Sequence, residues 1–124
     1  MDARLLTTLL ISLLFMAGKA GAHGEDKPGP NRGFIRMPGA FHAELVPVNA
    51  KVFRVYLLDV HFKNPTTRNS KVELSQGDPA KCAAEEDHFV CEFAKANGTE
   101  ALKLRATREG QAGHAVTYEL PLRH

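Results

Sequence analysis

Apolar residues in this chain recur at every second position, in short runs broken by turn residues, and this period most limits what it can fold into. Side chains alternate across a strand but repeat about every 3.6 residues around a helix, so a period of two selects strands. Phe41-His42-Ala43-Glu44-Leu45 sets Phe41, Ala43 and Leu45 on one face and His42 and Glu44 on the other. Residues 51–63 (KVFRVYLLDVHFK) form the longest run, with Phe53, Val55 and Leu57 alternating with Arg54 and Tyr56. After Leu57-Leu58 the phase slips, and Leu58, Val60 and Phe62 become the apolar set. That slip predicts a bulge, or a strand buried on both faces.

Further strands are expected at Val72 and Leu74, at Phe89, Cys91 and Phe93, at Leu102, Leu104 and Ala106, and at Val116, Tyr118, Leu120 and Leu122. Asn64-Pro65-Thr66-Thr67, Gly77-Asp78-Pro79, Asn97-Gly98 and residues 109–113 punctuate them as turns. Asn97-Gly98-Thr99 also spells a glycosylation acceptor, although a plain turn accounts for it. The one helical candidate is Pro79 to Asp87. About six or seven short strands with regular turns predict an all-β, antiparallel, immunoglobulin-like β-sandwich.

The first 22 residues stand apart: a short start carrying Arg4, the apolar stretch LLTTLLISLLFMAG, and then Lys19-Ala20-Gly21-Ala22. Charged start, apolar centre and small-residue cut site read as a secretory signal peptide. The apolar stretch falls short of the roughly 20 residues a spanning helix needs, so no stable membrane anchor is expected. Removing it shortens the 124 residues to 102 and takes away Arg4, Lys19 and Asp2, so the formal charge falls from +2 to +1. So small a charge argues against a nucleic-acid partner. Residues 23–32 (HGEDKPGPNR) read as a flexible arm and residues 33–124 as the β-domain, placed in the periplasm or secreted. In an oxidising compartment Cys82 and Cys91 are expected to form a disulfide; the alternative is a thiolate copper site.

Cleavage after Ala22 would make His23 the first residue, where its α-amine and imidazole together chelate a metal. Cleavage after Ala20 would instead leave Gly21-Ala22-His23, which can enclose Cu(II) or Ni(II) with amine, amide and imidazole nitrogens. Nitrogen ligands in a tetragonal arrangement suit Cu(II). A second candidate set lies on the strands: His42 with Glu44, and Asp59 with His61 if the slip has passed. Facing side chains on antiparallel neighbours lie about 5 Å apart, so these four can converge on copper or zinc. Met37 can add a soft thioether for Cu(I). Solvent-facing polar residues on a sheet are the plainer reading of each. No nucleophile elbow, phosphate loop or HExxH motif is present, and no enzymatic activity is expected.

Gly29-Pro30-Asn31-Arg32-Gly33, then Phe41-His42-Ala43-Glu44-Leu45, then Val52 to Asp59 (VFRVYLLD), resemble small exported bacterial metal-associated β-domains. Those domains carry a GPxGG element, an aromatic-His-x-Glu-Leu strand and a VYLLD strand, and also occur in periplasmic adaptor subunits of heavy-metal efflux pumps of the RND type. The resemblance implies a periplasmic β-domain in metal handling, with His42 and Glu44 matching the strand element. Arg32 departs from it, standing where the pattern has glycine, and the His-rich start is reduced to His23. The expected function is therefore metal buffering, or delivery to an efflux component, with copper first and zinc or nickel as alternatives. The rival is a metal-free cell-envelope interaction module.

Overall fold

The computed structural model describes residues 27–124. The described residues are all-β: β1 (Phe34–Arg36), β2 (His42–Pro47), β3 (Val52–Leu58), β4 (Lys71–Gln76), β5 (Asp78–Pro79), β6 (Lys81–Glu85), β7 (His88–Glu92), β8 (Leu102–Arg108), β9 (Gln111–Ala112) and β10 (Val116–Tyr118). One antiparallel sheet has the order β1-β2-β3-β7-β6; the other runs β10-β8-β4-β5, with β9 added on β8. The expected two-sheet sandwich is the fold. The expected signal peptide and His23 lie outside the described residues.

The inward face of each strand supplies the core. Ala43 and Leu45 of β2, Phe53, Val55 and Leu57 of β3, and Phe89 and Cys91 of β7 pack against Val72 and Leu74 of β4 and Leu102, Leu104 and Ala106 of β8. Burying one such side chain contributes about 1.5–3 kcal/mol, which is why the period of two decides the fold. On one side the chain itself closes the sandwich. Residues 78–85 leave the second sheet as β5, which pairs with β4, and join the first as β6, which pairs with β7. On the other side Arg36 donates from Nε to the Thr117 carbonyl at 3.0 Å, with its guanidinium carbon 4.6 Å from the centre of the Tyr118 ring. The buried Tyr118 hydroxyl donates to the Ala43 carbonyl at 3.1 Å.

Three expectations change. Residues 79–87 are strand and turn rather than helix, because Cys82 sits opposite Cys91 and the two form a disulfide. The strand of residues 51–63 ends at Leu58, and Asp59, His61 and Phe62 lie in a loop. Tyr56, Leu57 and Leu58 are nevertheless buried on both faces, as the slip suggested. The arm is not loose along its whole length: residues 29–33 fold back as a hydrogen-bonded turn, with Arg32 N donating to the Gly29 carbonyl at 2.9 Å and Gly29 N to the Gly33 carbonyl at 3.0 Å.

Candidate functional site

Two of the residues singled out from sequence, His42 and Glu44, lie on the outer face of the first sheet, and Asp59 lies in the loop that follows β3. Since Ala43 and Leu45 point into the core, His42 and Glu44 point outward from β2. Outward faces of sandwiches are ordinarily wet, yet Glu44 is fully buried and His42 is only 6% exposed. Two loops cover them, and a small second core of Ile35, Tyr56 and Leu58, with Val46 and Phe62 packed on it, lies alongside.

The first cover is the turn at residues 29–33. The Asn31 and Gly33 backbone N–H groups donate to Glu44 Oε2 at 2.9 and 2.7 Å, and the Asn31 side chain donates to Oε1 at 3.0 Å. A carboxylate removed from water needs such donors to offset its lost hydration. The approach is close enough to require glycine. A Cβ at Gly29 would overlap the Glu44 carboxylate, and one at Gly33 would sit 2.6 Å from the Leu45 carbonyl oxygen. Arg32 occupies the left-handed region at φ 63°, where glycine is the favoured residue. The GPxxG spacing is therefore the part of the sequence that wraps Glu44.

The second cover is the loop after β3. Asp59 Oδ1 accepts the His61 and Lys63 amides, both at 2.9 Å, and Oδ2 accepts the Asn64 side chain at 2.7 Å. The Lys63 amide, foremost, holds the Asp59 carboxyl below its ordinary range; burial opposes this, and the Asn64 side chain and His61 amide add to it. Phe62 is held at φ 61°, unusual for a bulky residue, and its ring stacks on His42 with centroids 4.0 Å apart and planes at 15°. His42 Nδ1 lies 3.0 Å from the Asp59 carbonyl oxygen. A carbonyl only accepts, so Nδ1 carries the proton there and Nε2 of a neutral ring keeps its lone pair.

The six metal candidates therefore part company. His42 offers one free nitrogen with its ring fixed in place. Glu44 and Asp59 already use their oxygens to hold the two covering loops. The His61 side chain is exposed, and its backbone amide serves Asp59. Met37 is 39% exposed in the β1–β2 connection, beside Pro38, whose carbonyl accepts the His114 amide at 2.9 Å. His23 precedes the described residues. Among the described residues no three or more His, Cys, Asp or Glu side chains are grouped to hold a metal ion. The cysteines form the expected disulfide, which leaves no thiolate pair for copper.

Sequence reasoning missed Phe62 and Asn31. Phe62 was visible as an apolar residue out of phase with the core face, and Asn31 as the centre of the GPxxG element. It also missed a contact on the same outer face, where Tyr56 lies 4.9 Å from the His88 ring and His88 Nδ1 is 2.9 Å from Asp87. Comparison with known proteins finds no matching family model, no matching curated protein and no matching solved structure.

Proposed function

We propose that this is an exported, periplasmic metal-binding domain that carries copper for buffering or for delivery to an efflux component. The observation that supports it is the state of His42. Its Nδ1 is engaged by a backbone carbonyl, its ring is clamped by Phe62, and its Nε2 has no hydrogen-bond partner among the described residues. Fixing the second nitrogen in this way is the usual means of orienting a histidine ligand and raising its basicity. A lone imidazole holds copper poorly, so further nitrogens must come from elsewhere in the chain. The turn clasped by Glu44 lies on the same strand face, two residues along from His42. Gly29, in that turn, is six residues from His23, a span of at most about 20 Å. His23, as the mature N-terminus, would supply an amine and an imidazole, giving a donor set that suits Cu(II). In this reading Glu44 and Asp59 are not ligands; they secure the two segments that bring ligands together.

The disulfide is consistent with export, and among the described residues no helix is long and apolar enough to cross a membrane. The test is calorimetric titration of Cu(II), Zn(II) and Ni(II) into the chain beginning at His23. One Cu(II) per chain, with affinity lost in His23→Ala and reduced in His42→Ala, is expected. Titrations that show no binding, or binding untouched by both substitutions, would favour a metal-free envelope module.

A further inference from the structure

The second edge of β6 points to a partner of defined chemistry. β6 is the last strand of the first sheet and pairs on one side with β7; among the described residues no strand pairs with its other side. Four of its five residues, Lys81, Ala83, Ala84 and Glu85, are exposed. Such an edge presents unpaired backbone groups to any strand of matching register.

The register of β6 on β7 settles which groups face outward. Cys82 and Cys91 lie directly opposite with Cα atoms 4.0 Å apart. That short spacing marks a non-hydrogen-bonded pair, so the flanking Lys81 and Ala83 turn their N–H and C=O groups toward β7. The backbone groups of Cys82 and Ala84 therefore point to the free edge. In the side-chain direction, Phe89 and Cys91 of β7 face the core, which places their neighbours Val90 and Glu92 outward. Lys81 is opposite Glu92 and Ala83 opposite Val90, so Lys81, Ala83 and Glu85 share the outer face of the sheet.

We propose that β6 pairs antiparallel with β6 of a second copy of this chain, about a two-fold axis through Ala83, to form a continuous sheet across the dimer. In that register Cys82 faces Ala84 of the second copy, and the same pair recurs by symmetry. These are the residues with outward backbone groups, so each pair exchanges two backbone hydrogen bonds. Lys81 meets Glu85 of the second copy, twice, on the same face. Ala83 meets its own symmetry mate, where its small side chain permits close approach. The charges on the outer face then alternate, with Glu92 and Lys81 of one copy followed by Glu85 of the other. Lysine on a strand edge ordinarily discourages pairing; here the self-complementary order of KCAAE supplies its counter-charge. The interface is isologous and closes at two copies, so it gives a dimer and not a fibre.

The experiment is sedimentation velocity of the processed chain at rising concentration, with variants K81E, E85K and K81E/E85K. Both side chains are exposed, and unchanged circular dichroism checks that the variants fold. A concentration-dependent dimer is expected for the native chain. Each single reversal creates two like-charge pairs and weakens it about tenfold. The double reversal restores opposite pairing and returns the dimer. K81E mixed with E85K forms a heterodimer, because each then meets its opposite charge. A chain that stays monomeric throughout, or single reversals that dimerise as well as the native chain, would overturn the proposal.

Discussion

Removing the Glu44 carboxylate tests the claim that this residue binds the N-terminal segment to the domain. Glu44 accepts three N–H groups: Gly33 N at 2.7 Å, Asn31 N at 2.9 Å and Asn31 Nδ2 at 3.0 Å. A hydrogen bond to a charged group contributes about 1.5–3 kcal/mol. Asn31 is exposed, so its donors regain water when the carboxylate is gone; Gly33 is buried, and its N–H is left without a partner. Counting the Gly33 bond in full and each Asn31 bond at a fraction of that range, Glu44→Ala costs about 3–5 kcal/mol. The space left by the side chain adds to the loss. A domain of this size holds only about 5–15 kcal/mol in total. With each kcal/mol moving the midpoint by about 4–8 °C, the melting temperature should fall by roughly 12 °C or more. Glu44→Gln keeps the shape and one acceptor oxygen, so its loss should be about half as large. Thermal denaturation by circular dichroism gives the stability, and amide exchange at Asn31 and Gly33 localises the effect. A melting temperature for Glu44→Ala within about 3 °C of the native value would refute this account of the clasp.

Three further outcomes follow from the same geometry. Arg32→Gly relieves a left-handed residue at φ 63° and should stabilise by about 0.5–1 kcal/mol after the entropy of glycine is counted, read as a raised denaturation midpoint. The Asp59 carboxyl is depressed in the folded state, so its contribution is present above its unfolded value of 3.8 and is lost as the pH falls below it. NMR of the His42 and Phe62 rings should therefore show the 59–64 loop opening on acidification, and this step should be absent in Asp59→Asn. Burial, foremost, raises the Tyr118 phenol, with Arg36 opposing and Glu44 adding, so its contribution is intact below its unfolded value of 10.0 and is lost as the pH rises above it. Tyr118→Phe should cost about 1 kcal/mol at neutral pH and flatten that alkaline loss, measured as stability against pH.

The β-sandwich was legible because its central strands are amphipathic at period two, as in Leu102, Leu104 and Ala106 against Lys103, Arg105 and Thr107. The disulfide was legible from an even cysteine count behind a first segment that reads as an export signal. β6 was not, because Lys-Cys-Ala-Ala-Glu has no alternation and its alanines and glutamate favour helices; pairing with β7 overrides that preference. The site was half legible. Polar residues alternating outward from β2 looked like donors open to solvent, and His42 keeps one such nitrogen. Nothing in the pattern shows that residues 29–33 return over Glu44, or that the run after Leu58 leaves the sheet so that Phe62 can cover His42. Long-range burial of an outward carboxylate depends on a segment far from it in sequence, and periodicity reports only on neighbours.

Electron paramagnetic resonance of the Cu(II)-loaded chain beginning at His23 tests the central claim most directly. The account predicts a single tetragonal copper signal with couplings from more than one imidazole, one of them lost in His42→Ala and the tetragonal signal lost in His23→Ala. A spectrum of free copper, or one identical in the native chain and both variants, would contradict it.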